Sequence, residues 1–235
     1  MAVGETPGGC PLPEDLWYDV EDDVWVRRVP GSRHAVLGLT APIVSFAGRF
    51  HRVEYRPIDD FPEPGRSLAT VESTRYTGAV RMPLRGRVVR RNDRLLERPK
   101  LLNDAPYDAG WVAEVELADP GEIHRLLRPA TEARTAYARR VAELKVRCLP
   151  AAPDVEMYEI GSECSAILAR LDEELARLAP VDVVLLVTDD PTSPIEMVRW
   201  TDRTGHTVLY EDRDGPLHRF LVRREPDPRP TPRRR

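Results

Sequence analysis

The stretch from Ser67 to Asn92 constrains the fold most. One β-rich run closes in Val71-Glu72-Ser73, another opens in Val80-Arg81-Met82-Pro83, and Thr74-Arg75-Tyr76-Thr77-Gly78 separates them. β-Branched runs joined by a short polar segment containing glycine specify a hairpin, so residues 74–78 are expected at an exposed tip. Upstream, Ala35 to Thr40 and Ile43 to Tyr55 are short β-branched runs broken by Gly and Pro, which read as meandering strands. Asp59 to Gly65 is a turn cluster leading into the hairpin.

Past the hairpin the periodicity changes. Pro120 to Leu127 and Ala130 to Val146 carry apolar residues at helical spacing, and Leu149-Pro150-Ala151-Ala152-Pro153-Asp154 is a semi-rigid linker. Val155 to Ile160 then reads as a strand. Ser165 to Ala179 reads as a helix with Ile167, Leu168, Leu171, Leu175 and Leu178 on one face, and Val181 to Thr188 as a nearly continuous apolar strand. Pro194 marks a second helix that Gly205 ends, and two last strands flank Asp212-Arg213-Asp214-Gly215. This order is βαβαββ and implies an α/β two-layer sandwich. The expected organisation is a flexible arm at 1–12, a mainly β domain at 13–128, a helix and proline-rich linker at 129–154, the α/β domain at 155–224 and a disordered Pro- and Arg-rich tail at 225–235.

Composition limits the function. A length of 235 residues with 41% hydrophobic content suits two small domains with real cores. A net charge of −4 gives no general attraction to nucleic acid or anionic membrane. No apolar run approaches a bilayer span and the N-terminus lacks a signal pattern, so the cytoplasm is the expected location. Cys10, Cys148 and Cys164 make no CxxC or zinc spacing, which suggests neither a disulfide framework nor a metal site. Cys148 reads as structural or tolerated. His34, His51, His124, His206 and His218 have no ligand spacing and read as surface or packing residues.

Pro13-Glu14-Asp15-Leu16, Val24-Trp25-Val26, Val71-Glu72-Ser73, Pro83-Leu84-Arg85-Gly86 and Leu101-Leu102-Asn103-Asp104-Ala105-Pro106-Tyr107-Asp108-Ala109-Gly110-Trp111 stand in one register. In that register the chain from Pro13 to about Leu127 resembles the glycine cleavage H protein, and the hairpin segment looks more like the H-like lipoate-binding proteins of sulfur oxidation. The resemblance implies a lipoyl-type flattened barrel, a barrel-sandwich hybrid, with its lipoyl lysine at the hairpin tip. Arg75 occupies that position. A guanidinium keeps its proton and is a very poor acyl acceptor, so the lipoyl group is expected to be absent and no cofactor is expected. Arg75 is left to bind an anion or a partner carboxylate, or to stand solvated. Lys100 and Lys145, the two lysines of the chain, lie away from the tip.

Gly161-Ser162-Glu163-Cys164, Thr188-Asp189-Asp190-Pro191 and Gly205-His206 resemble the motif positions of TusA-like sulfur carriers, with Ser165 and Ile167 where that family has prolines. The resemblance implies that Cys164 carries sulfur as a persulfide. Its place before a helix favours the thiolate through the helix dipole, while Glu163 opposes it. A cysteine at a helix start is also commonly a small buried residue. Asp189 and Asp190 also read as caps of the following helix. Cys10-Pro11-Leu12-Pro13 repeats the carrier signature literally, but no helical stripe follows it and it reads as coincidence. The resulting expectation is a sulfur carrier rather than a turnover enzyme. Its partners would be donor and acceptor sulfurtransferases or heterodisulfide-reductase-like proteins; the alternatives are a non-catalytic docking protein or a working lipoyl carrier of glycine cleavage.

Overall fold

A computed structural model describes residues 3–5, 8–57 and 61–226. The chain divides into two compact units between Leu149 and Pro150. Residues 1, 2, 6 and 7 of the arm expected to be flexible, residue 58, residues 59 and 60 of the turn cluster, and residues 227–235 of the tail expected to be disordered lie outside the described residues. Among the described residues no helix is long and apolar enough to cross a membrane.

The first unit begins with β1 (Val3–Glu5), β2 (Pro11–Pro13), β3 (Trp17–Asp19), β4 (Val24–Arg28) and β5 (His34–Leu39), followed by helix α1 (Ala41–Ala47). Then come β6 (Phe50–Tyr55), the hairpin β7 (Ser67–Ser73) and β8 (Thr77–Arg81), β9 (Gly86–Arg91) and the single turns α2 (Arg94–Glu97) and α3 (Leu101–Asp104). Strand β10 (Ala113–Leu117), the turn α4 (Ile123–Leu126), β11 (Arg128–Pro129) and α5 (Ala130–Glu143) complete it. One sheet has the order β11-β3-β4-β5-β10-β9 and a second has β6-β7-β8, while β1 pairs with β2. Leu37, Leu39, Val71, Val80, Met82, Val115 and Leu117, from both larger sheets, fall in a single buried core. Alternation sets their facing: in β10, Ala113, Val115 and Leu117 are buried while Glu114 and Glu116 face outward to Arg90 and Arg87.

Two expectations are corrected here. The run from Ile43, expected as strand, is helical from Ala41 to Ala47, because Pro42 sits in the first turn after the extended Thr40 and fixes a helix-compatible φ. Ala41, Pro42, Ile43 and Val44 are all buried, so no alternation was there to find. The arm expected to be flexible is tied down over residues 10–13. Cys10 and Leu12 are fully buried, and Cys10 is disulfide-bonded to Cys148, a pair the cysteine spacing had argued against.

Helix α5 docks through a buried charge. Asp23, at φ 55 in the turn before β4 and 4% exposed, accepts from Arg140 Nη2 at 2.5 Å through Oδ2, while among the described residues its Oδ1 accepts no hydrogen bond. Burial pushes the Asp23 carboxyl up to about 7, with Asp19 and Asp22 adding to the rise and Arg140 opposing it.

The second unit runs β12 (Val155–Glu159), α6 (Cys164–Arg177), β13 (Val183–Thr188), α7 (Ser193–Thr204), β14 (Thr207–Asp214) and β15 (Leu217–Arg223). The sheet order is β12-β13-β15-β14, with β12 and β13 parallel and the remaining pairs antiparallel. Ile167, Leu171 and Leu175 of α6 and Met197 and Trp200 of α7 share a core with Met157, Val184, Leu186, Phe220 and Val222 of the sheet. Gly205 ends α7 in the left-handed region at φ 77.

Because the folded Asp23 pKa lies above its ordinary value of 3.8, the folded state binds the proton more tightly than the unfolded chain does. Its stabilising contribution is full below 3.8 and is lost as pH rises toward about 7. Denaturant titrations of wild type and Asp23→Asn should therefore diverge across that window, the wild type losing stability relative to the variant as pH rises.

Candidate functional sites: the hairpin tip and the Cys164 turn

The hairpin tip is held against helix α1. Glu72 stands opposite Thr77, and the Ser73 N–H donates to Tyr76 O at 2.8 Å. Ser73 Oγ donates to Ala47 O at 2.6 Å and receives the Arg75 N–H at 3.3 Å. The Arg75 side chain turns back in the same direction: Nε donates to Phe46 O at 3.1 Å and Nη2 to Ser45 O at 3.4 Å. Those carbonyls belong to the last turn of α1, where the helix offers them no donor and its dipole favours a cation. Gly48, at φ 74, allows this approach, since a Cβ there would lie 2.9 Å from Arg75 Nη2. Tyr76 packs edge-on against Phe46 and Phe50, with ring centroids 6.2 and 6.4 Å away. Residue 75 is thus exposed at the tip, with its guanidinium bonded to backbone.

Neither lysine occupies the hairpin tip. Lys100 precedes α3, with its Nζ 3.4 Å from Asp104 Oδ1, and Lys145 follows α5 at φ 52.

Cys164 opens α6 and is 8% exposed. Its backbone N–H donates to Asp190 Oδ2 at 2.8 Å, and the N–H groups of Ala166 and Ile167 donate to Glu163 O at 3.0 and 3.1 Å. Asp190 Oδ1 accepts from the N–H and hydroxyl of Thr192 at 2.7 and 2.6 Å, and Asp189 Oδ1 accepts from Gly161 N at 2.8 Å. The two aspartates therefore span the turn before α6 as well as the approach to α7, more than the capping role read from sequence. Burial pushes the Cys164 thiol up, the carboxylates of Asp190 and Glu196 push the same way, and the Thr192 hydroxyl opposes them. This reverses the expected bias toward thiolate: the anion at the start of α6 is the Asp190 carboxylate, held below the ordinary range chiefly by its bonds to Thr192.

Sequence reasoning missed Asp190 as the partner of Cys164. The available signal was topological, because the parallel pairing of β12 with β13 brings the segments that follow both strands to one end of the sheet. It also missed the Cys10–Cys148 bond. His34 bonds Glu114, His206 packs on Trp200 and His218 stacks on Phe220. Among the described residues no group of three or more His, Cys, Asp or Glu is placed to hold a metal.

Residues 16–139 match the family model described as glycine cleavage H-protein. The chain is 33% identical over 144 residues to glycine cleavage system H protein 5 of Aquifex aeolicus, covering 60% of this chain and 96% of that protein. It is 35% identical over 120 residues to a probable glycine cleavage system H protein 2 of Sulfolobus acidocaldarius, covering 50% and 80%. A solved glycine cleavage system H protein from Mycobacterium marinum aligns at 26% identity and a TM-score of 0.47, covering 54% of this chain and 98% of that one.

The electrostatics at Cys164 have a direct readout. Its alkylation rate should show a midpoint above the free-thiol value of about 8.5, and Asp190→Asn should lower it; a wild-type midpoint below that value would contradict the geometry.

Proposed function

The chain belongs to the glycine cleavage H-protein family through residues 16–139, and from that premise we propose a cytoplasmic docking module without a lipoyl arm, joined to a TusA-like unit that carries sulfane sulfur on Cys164. The observation that carries the first half is Arg75. It stands in the lipoyl-lysine register of the hairpin, and its guanidinium is bonded to the carbonyls of Ser45 and Phe46. A guanidinium offers no neutral amine for acylation at ordinary pH. The barrel then contributes the recognition surface of its family, and the tether raises the effective concentration of Cys164 at the bound partner.

Support for the second half comes from position. Cys164 is the free cysteine, at the start of a fourteen-residue helix and beyond the C-terminal ends of two parallel strands. In the proposed step the Cys164 thiol loses its proton and its sulfur attacks the outer sulfur of a donor persulfide. The S–S bond of the donor breaks, the donor thiolate leaves and takes up a proton, and Cys164 becomes the persulfide. Transfer onward repeats the exchange with an acceptor thiolate, so no external oxidant or reductant is consumed. The donors and acceptors in this reading are sulfurtransferases or heterodisulfide-reductase-like proteins, and nucleic acid and membrane are not partners.

One observation favours a second reading, a docking protein with no sulfur chemistry of its own. Cys164 is buried among Asp190 and Glu196, which disfavour its thiolate. Under the carrier reading a cation on a docked partner, placed beside these carboxylates, would raise the thiolate fraction of Cys164.

Intact mass separates the two readings. Exposed to a sulfane-sulfur donor, the protein should gain the mass of one sulfur, reversibly with reductant and not in Cys164→Ala; no gain with several donors, or an equal gain in the variant, selects the docking protein. The untreated spectrum should show no lipoyl group. Arg75→Lys should become a substrate for a lipoate ligase if residue 75 alone blocks the modification, and persistent failure would place the block in the surrounding hairpin surface.

A further inference from the structure

The Cys10–Cys148 disulfide joins residues separated by 138 positions, with Cα atoms 4.8 Å apart. Cys10 is fully buried in a cluster with Val141 and Val146, whereas Cys148 is half-buried. The Cys148 N–H donates to Gly8 O at 2.9 Å, and Ser45 Oγ lies 3.1 Å from Cys148 Sγ as a donor. Nearby, Tyr107 OH donates to Pro11 O at 2.8 Å and receives the Ala41 N–H at 2.9 Å. The residues around Cys10, the segment after α5 and the helix α1 thus meet at one place. Ser45 connects that place to the hairpin: its hydroxyl reaches the disulfide, and its carbonyl accepts from Arg75 Nη2.

We infer that Cys10–Cys148 is a thiol–disulfide exchange site, open at Cys148 to a dithiol reductant, whose redox state sets the pose of the hairpin tip through Ser45 and α1. The inference stands apart from any sulfur carried on Cys164. Accessibility directs the chemistry, since a thiolate from solvent meets Cys148 before it meets Cys10. Attack on Cys148 Sγ forms a mixed disulfide and expels the Cys10 sulfur as the leaving thiolate. Among Val141 and Val146 a thiolate is poorly solvated, so it takes a proton as it leaves and the segment around Cys10 loses its covalent anchor. The second thiol of the reductant then attacks its own sulfur in the mixed disulfide and releases Cys148 toward the Ser45 hydroxyl. In all, two electrons and two protons pass from the dithiol to the protein, and the dithiol becomes a disulfide.

In a reducing compartment the bond is exposed to continual exchange. The oxidised form fixes the Ser45 end of α1 and with it the carbonyls that receive Arg75. In the reduced form that end of the helix is held by its remaining packing and hydrogen bonds alone, and the tip is released to move.

The test uses the full chain carrying Cys164→Ala, so that thiol counts report the pair. Under native conditions dithiothreitol followed by alkylation should add two alkyl groups, and without dithiothreitol none. Two free thiols in the protein purified without reductant would overturn the inference. A disulfide reagent should label Cys148 in Cys10→Ser roughly tenfold faster than Cys10 in Cys148→Ser, and equal rates would remove the assigned direction of attack. Hydrogen exchange decides the coupling. On reduction, exchange at residues 41–48 and 73–77 should rise roughly tenfold, with a smaller rise in Ser45→Ala. An unchanged tip after full reduction, or a rise of the same size across β4, β5 and β10, would overturn the link. Should either serine variant fail to fold, dithiol titration with exchange on the parent chain decides alone.

Discussion

The last turn of α1 leaves carbonyls that no intrahelical N–H can reach, and the hairpin supplies their donors. Ser73 Oγ takes Ala47 O, Arg75 takes Phe46 O and Ser45 O, and Gly48 N closes on Val44 O. In doing so these bonds join the three-stranded sheet to the helix that follows β5 of the larger sheet. The disulfide and Tyr107 hold the same helix from the arm side. A seven-residue helix is too short to be stable by propensity, so its position records the balance of these outside contacts. Any change at the tip or at the disulfide therefore acts on a shared element.

Arginine suits that capping role for a physical reason. The chain has 35 cationic residues, of which two are lysines, leaving 33 arginines. Many of them bond backbone carbonyls: Arg27 to Tyr107 O, Arg81 to Gly65 O, Arg140 to Val20 O and Arg224 to Leu178 O beside the end of α6. A planar fork of five donors reaches two carbonyls at once, where an ammonium on a flexible stem holds a less defined geometry. Arg75 follows the same use, and its fork bridges successive carbonyls of α1. The property that ends acylation at residue 75 also fastens the tip.

The hairpin was legible because β-branched strand residues and a short polar tip act locally, and the helices of the second unit because Ile167, Leu171 and Leu175 recur on one face. Helix α1 was not legible. Ile43 and Val44 count toward strand by residue type, and the turn's burial on several sides erased any period, leaving Pro42 as the one local sign. Cys164 at a helix start could be read from the chain, but the group that occupies that helix end could not. Asp190 lies 26 residues away, and the parallel pairing of β12 with β13 is what delivers it. The disulfide has the same origin at longer range. Spacing of 138 residues carries no local signal, and the bond exists because both segments pack beside α1.

One helix N-terminus can neutralise one anion well, and α6 has two claimants. Its first N–H is already bonded to Asp190 Oδ2, and Asp190 is held in place by Thr192 as well. A thiolate on Cys164 would place a second negative charge beside that carboxylate and near Glu196, in a site 8% exposed. Both burial and like charge then oppose ionisation, and the helix dipole is largely spent on the aspartate. The resting state of the turn is accordingly a neutral thiol with an ionised Asp190. Sulfur chemistry at Cys164 in the free protein draws on the small thiolate fraction that this order leaves, and a cation that engages Asp190 or Glu196 would enlarge that fraction and speed the exchange.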